Sequence, residues 1–345
     1  MCMWMDEASR RRGVGTPVRL ALYPRECQRL NVGVASDRMG DLEGLQLGLG
    51  ANTFGWTADR DAAFAVLDAY VDAGGRFVDT ADTYGRQSFV GASETIIGEW
   101  FAARGRRDEV VLATKVGSLP SRPGLSAANI TAAVDESLRR LQTDRIDLYW
   151  AHKDDPDTPQ EETLAAFDGL VRAGKVREIG ASNFSAARLE SALATSAKEG
   201  LAAYVALQPH YNLMERAEFE ATLLPVLVEH GLSCVPYFGL ARGFLTGKYR
   251  PGTTVDSPRA AGAAAYLDDR GLAVLAALDD VAAAHGVPQA AVALAWLAAQ
   301  PTVAAPLASA RSTDQLADLL PTLSLTLTDA EVAALSAASR PIDRP

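Results

Sequence analysis

The chain has 345 residues, 48% of them hydrophobic, and a formal net charge of −10. That length and apolar share allow a large buried core. The acidic balance excludes steering onto nucleic acid, which needs a basic footprint.

Three cysteines, Cys2, Cys27 and Cys234, are too few and too scattered for a disulfide framework, so a reducing, cytoplasmic setting is expected. The four histidines show no metal-ligand spacing, and no metal is expected. No apolar run is long enough to span a bilayer. Arg10-Arg11-Arg12 is not followed by an apolar leader core, so an export signal is not expected either.

Residues 1–40 carry seven arginines and two cysteines without helical or strand period. They read as an N-terminal extension outside the fold, or as a start assigned upstream of Met39. The folded domain is expected over 41–345.

From Leu45 onward, short apolar runs alternate with amphipathic helical runs. Strands are predicted over 45–51, 77–80, 110–116, 148–152, 178–182, 204–208, 233–237 and 303–307. Their near-continuous hydrophobicity fits parallel strands buried on both faces. Between them the period becomes helical: Phe64, Leu67, Tyr70 and Val71 share one face, and Gly74 stops that helix. Ile130, Val134, Leu138 and Leu141 line another. Thr158-Pro159-Gln160-Glu161 predicts a capped helix start with a capping box, and Thr328-Asp329-Ala330-Glu331 repeats the pattern. The alternation predicts an α/β chain folded as a (β/α)8 TIM barrel. A doubly wound open sheet is the alternative, but the glycines of Leu47-Gly48-Leu49-Gly50 lack its fingerprint spacing. Residues 242–266, rich in Gly, Pro, Ser and Thr, predict a long loop acting as a lid over a ligand.

Four polar residues stand at strand ends or just beyond them: Asp79, Tyr84, Lys115 and His152. In a barrel that edge is the active face. A buried Lys115 needs a counter-charge, which Asp79 can supply. Lys115 beside the Tyr84 hydroxyl is expected to lower the phenol from about 10, making it a proton donor near neutral pH. His152 can orient a carbonyl oxygen from Nε2. Trp56 and Phe89, in the first two loops, are expected to wall the substrate mouth. Trp150 and Cys234 read as core packing, and His210, His230 and His285 as non-catalytic.

These segments resemble the aldo-keto reductase family. The resemblance runs from about Leu45 to Ala338. It is carried by Asp79-Thr80-Ala81-Asp82-Thr83-Tyr84-Gly85, Ala113-Thr114-Lys115, Asp147-Leu148-Tyr149-Trp150-Ala151-His152, Gly180-Ala181-Ser182-Asn183-Phe184 and Gly243-Phe244-Leu245-Thr246-Gly247-Lys248-Tyr249, with Leu47-Gly48-Leu49-Gly50 and Gly174-Lys175-Val176-Arg177. It implies an NAD(P)H-dependent reductase of an aldehyde, ketone or sugar carbonyl, or an oxidant of the corresponding alcohol. The family's tetrad falls on Asp79, Tyr84, Lys115 and His152. Ser182, Asn183 and Gln208 match positions that hold the nicotinamide carboxamide, and Tyr237 matches the aromatic that stacks on its ring. Leu240, Ser309, Arg311, Gln315 and Asp318 match further cofactor positions. Arg311 favours the 2′-phosphate of NADP(H), with NAD(H) open, and free N–H groups at the helix start after Ser309 could hold phosphate. Two positions depart from the family pattern: Phe238-Gly239 replaces a common Ser-Pro, and Leu319 replaces a common Asn. The rival functional readings are a cofactor-binding sensor with little turnover, and a metal-dependent barrel hydrolase.

Overall fold

The computed structural model describes residues 44–256 and 260–341. The expectation for residues 1–40 falls outside the described residues. Eight parallel strands form one sheet: β1 (Gly48–Gly50), β2 (Phe77–Asp79), β3 (Val111–Val116), β4 (Ile146–Ala151), β5 (Val176–Ser182), β6 (Tyr204–Gln208), β7 (Ser233–Cys234) and β8 (Leu307–Ala308). From β1 to β7 each pairs with the next in chain order, and β8 pairs with β1.

The segment before β8 closes the ring. Cys234 donates to Thr302 O at 2.7 Å, Ala304 to Cys234 O at 2.9 Å and Leu307 to Pro236 O at 2.9 Å. The fold is therefore the (β/α)8 barrel. Two predicted strands are shorter than expected for one reason: Pro236 and Pro306 have no N–H to give to a ladder. Two others begin earlier than expected, at Ile146 and Val176, because Asp147 and Arg177 interrupt their apolar runs. Asp147 is nevertheless buried, accepting from Leu112 N at 2.9 Å and Arg107 Nη2 at 2.8 Å.

Apolar burial occurs in two places, as side-chain alternation along strands requires. Phe77, Val111, Leu148, Trp150, Val235 and Leu307 pack inside the barrel. Leu49, Val78, Leu112, Tyr149 and Cys234 pack outward, with the helices. Helix α1 (Arg60–Asp72) buries Phe64, Leu67, Tyr70 and Val71 there, and the Asp59 carboxylate caps it through Ala62 N. Helix α2 (Ala92–Arg104) follows the β2 loop, and α3 (Ala127–Leu141) follows a small antiparallel hairpin, Ser118–Leu119 with Arg122–Pro123.

The two predicted capping boxes behave differently. Thr328 and Glu331 form theirs on helix Asp329–Ala338. At Gln160–Arg172 the cap residue is Pro159, with no side-chain cap, because the Thr158 hydroxyl donates to Asp155 Oδ2 at 2.7 Å instead. Thr328→Ala should therefore lower unfolding free energy by about 1 kcal/mol in a denaturant titration. Equal stability of variant and parent would show that this cap contributes nothing.

The predicted long loop opens with a short 3₁₀ turn, Ala241–Thr246, and contains helix Ala260–Ala264. Residues 257–259 lie outside the described residues. Among the described residues no single helix is long and apolar enough to cross a membrane.

Candidate active site

Asp79 ends β2, Lys115 lies in β3 and His152 follows β4, so register brings their side chains to the same end of the barrel. Tyr84 reaches back from the loop after β2. That loop passes so close to Phe54 O that a Cβ on Gly85 would sit 2.6 Å from it, and Gly85 has φ +73°. Only glycine fits there without strain.

Lys115 is fully buried and Asp79 is 2% exposed. The Lys115 ammonium donates to Asp79 Oδ2, to Thr80 O at 2.8 Å and to Tyr84 Oη at 3.2 Å. All three of its N–H groups are thus engaged. Gln208 Nε2 donates to the other Asp79 oxygen at 3.1 Å. His152 meets the Tyr84 ring edge-on, with centroids 5.9 Å apart, and its Nδ1 is buried without a partner among the described residues.

The electrostatics correct one expectation. Burial raises the Tyr84 phenol above its ordinary value, and the pull of Lys115 only partly offsets this. Asp79 neutralises the ammonium and itself pushes the phenol upward. Burial also acts to lower Lys115, but the charge of Asp79 first, with Tyr84, outweighs it and the amine stands above its usual range. Burial first, then Lys115 and Lys153, press His152 down to about 3. At neutral pH the site therefore holds an un-ionised phenol, an ammonium and a neutral imidazole.

A cavity of about 680 Å³ opens over these groups. Asp79, Tyr84 and His152 line it, together with Ser182, Asn183, Gln208, Tyr237, Leu240, Ser309, Arg311, Gln315 and Asp318. Trp56 stands at its wall, 43% exposed. Phe89 does not reach it: that side chain is 52% exposed on the loop after Tyr84 and is absent from the lining. Lys115 is not among the lining residues, but it is bonded to two that are, Asp79 and Tyr84.

The polar groups of the lining are bonded to one another. Ser182 Oγ donates to Gln208 O at 3.0 Å, and Asn183 Nδ2 donates to His152 O at 2.9 Å and to Ser182 Oγ at 3.0 Å. Tyr237 Oη donates to Asn183 Oδ1 at 2.8 Å. The ring of Tyr237 is stacked on His210, with centroids 5.4 Å apart. Arg311 N donates to Gln315 Oε1 at 3.1 Å, so this N–H is not free for phosphate as expected, and the helix that follows, Thr313–Ala317, is one short turn.

Several lining residues are not predicted to belong to the site, among them Phe238, Arg242 and Lys248. Phe238 has φ +55°, and the Arg242 guanidinium lies 4.7 Å above its ring. The signal for Phe238 is the replacement of Ser-Pro by Phe238-Gly239; Arg242 and Lys248 lie in the predicted lid loop. Gly239 is there because a Cβ would meet Leu294 Cδ2 at 2.9 Å and Leu307 O at 3.2 Å.

Residues 46–340 match the sequence profile of the aldo/keto reductase family. The chain belongs to that family. It is 38% identical to the uncharacterized oxidoreductase YrpG of Bacillus subtilis, over 82% of this chain and 88% of that one. It is 34% identical to a probable voltage-gated potassium channel subunit beta of Oryza sativa subsp. japonica, over 79% and 85%. It is 33% identical to norsolorinic acid reductase B of Aspergillus parasiticus, over 83% and 78%. As an aldo/keto reductase, the protein is an oxidoreductase of carbonyl compounds, built on the barrel described above.

Proposed function

We propose that this aldo/keto reductase uses NADPH to reduce an aldehyde, ketone or sugar carbonyl, with Tyr84 as the proton donor. One observation carries the reading: a fully buried ammonium, Lys115, joins the Asp79 carboxylate to the Tyr84 hydroxyl at a cavity wall shared with His152.

The donor set suits a nicotinamide nucleotide. A carboxamide needs donors and acceptors together, and Ser182, Asn183 and Gln208 offer both. Arg242, Lys248 and Arg311 line the same cavity as cations for phosphate. Gly50 leaves room beside Ser309, where a Cβ would come 2.8 Å from the Ser309 hydroxyl. Tyr237 offers a ring face backed by His210. When bound, the reduced nicotinamide supplies hydride to the carbonyl carbon. Neutral His152 orients the carbonyl oxygen by a hydrogen bond. Tyr84 Oη passes its proton to that oxygen as negative charge develops there. Lys115 stabilises the phenolate left behind, Asp79 holds Lys115, and Gln208 holds Asp79. Run backwards, the same groups oxidise an alcohol.

Arg311→Ala should raise the Kd for NADPH roughly tenfold or more while that for NADH changes little, since a planar fork on a phosphate contributes above 1 kcal/mol. Cofactor fluorescence titration reads both. Equal losses would remove the 2′-phosphate assignment.

A second reading is favoured by the resemblance to a channel beta subunit: a cofactor-binding regulatory protein with little turnover. Loss of NADPH absorbance across a panel of carbonyls separates the two. Consumption supports the reductase, and tight binding without consumption supports the regulator.

A further inference from the structure

Behind the strands of Asp79 and Lys115, on the helix side of the sheet, lies a second buried charged cluster. Thr114 and Lys115 are neighbours on β3 and so project to opposite faces. The Thr114 hydroxyl donates to Glu94 Oε1 at 2.6 Å, and Arg140 Nε donates to Glu94 Oε2 at 2.7 Å. Glu94 is fully buried and Arg140 is 8% exposed. The Arg140 stem crosses Gly91, where a Cβ would sit 2.3 Å from its Cδ. One carboxylate thus ties the strand of Lys115 to α2 and α3.

The Tyr84 loop is fastened to the same helix. Ser93 N donates to Tyr84 O at 3.3 Å, and the Ser93 hydroxyl joins Thr80 Oγ1 and Ala51 O, each at 2.8 Å. Asp82 sits within this joint, 1% exposed. Its N–H donates to Lys115 O at 3.3 Å, and its Oδ1 is buried without a partner among the described residues. The charged or titratable groups around its carboxyl are Glu94 on α2, Arg140 on α3, Arg122 on the hairpin, Lys115 on β3, Tyr149 on β4 and Tyr84 on its own loop. Burial, then the charge of Glu94, push the Asp82 carboxyl up to about 7 against the pull of the three cations.

We propose that the Asp82 carboxyl, seated beside the Glu94–Arg140 pair, is a positioning group that sets Tyr84 against Lys115, and that a second negative charge in this pocket releases the loop. The proposal rests on Tyr84 being the proton donor. Two carboxylates confined with one close guanidinium repel each other in a low-dielectric site. Ionised Asp82 gains by moving toward water, and Tyr84, two residues on, moves with it.

The sign follows from the raised folded-state value. Asp82 holds its proton in the folded chain up to about 7 and in the unfolded chain only to about 4, so its contribution to stability is full below the lower value and is lost as pH rises through the upper one.

The test uses the full-length protein with saturating NADPH, and the variants Asp82→Asn and Glu94→Gln. Wild-type reduction should fall about tenfold from about pH 6 to about pH 8, as one ionisation between them requires. Asp82→Asn should remain flat over that interval. Glu94→Gln, which removes the like charge, should move the midpoint down by about one unit or more. Thermal unfolding read in parallel should show that Asp82→Asn loses the wild-type decline in Tm over the same interval. An Asp82→Asn profile that still follows wild type overturns the positioning role, even if Tm changes. A protein without turnover that still shows the Tm difference contradicts the reductase reading and not the Asp82 assignment.

Discussion

Tyr84→Phe should reduce carbonyl turnover by roughly three orders of magnitude while NADPH binding stays within about twofold. The substitution removes one O–H and keeps the ring, so the edge-on contact with His152 is retained. Lys115 keeps its bonds to Asp79 and Thr80 O and loses only the one at 3.2 Å. The stability cost is therefore small, about 1 kcal/mol. What disappears is the un-ionised phenol that burial maintains at neutral pH, and with it the proton for the developing alkoxide. Steady-state kinetics with a cofactor titration separate the two effects. Turnover near that of the parent would remove Tyr84 from the chemistry.

Lys115→Met should be the most damaging single change to the fold itself. It leaves Asp79, 2% exposed, with Gln208 and no cation. Breaking a buried pair in this way costs about 3–5 kcal/mol, because the remaining buried charge has lost its partner. Adding Asp79→Asn should restore much of that loss, since an amide carries no charge to bury. Neither variant should reduce carbonyls, as neither has a cation to stabilise the Tyr84 phenolate. Denaturant unfolding gives the stability part and NADPH oxidation the catalytic part. If the double variant is no more stable than Lys115→Met, the cost lies in packing and not in the unpaired carboxylate.

The difference between these two residues shows what a sequence makes legible. Asp79, Lys115 and His152 each close an apolar run, so the strand period alone places them at one end of a barrel. The charge balance between them is three-dimensional. An ammonium beside a phenol predicts a lowered phenol, but burial outweighs that effect and Asp79 opposes it. The burial of Glu94 has no signal in its own segment, because the partner that allows it, Arg140, is 46 residues further along. Phe89 fails for a related reason: its position in the chain is close to Tyr84, but the turn of the loop carries it outward. Leu240, Ser309, Arg311, Gln315 and Asp318 meet Tyr237 along one cavity although they come from loops after different strands. Only the ordered set of short segments, read as a family resemblance, could bring them together before the fold is seen. Pro236 and Pro306 are ladder breaks legible in the sequence itself, and they shorten two of the predicted strands.

A crystal structure with NADP and a carbonyl substrate analogue tests the assignment of Tyr84 most directly. The nicotinamide ring should lie against Tyr237, and the analogue's oxygen should sit within hydrogen-bond distance of both Tyr84 Oη and His152 Nε2, with Lys115 still bonded to the phenol. A Lys115 amine turned away from Tyr84, or a ring unable to enter between Tyr237 and the Tyr84–His152 pair, would contradict it.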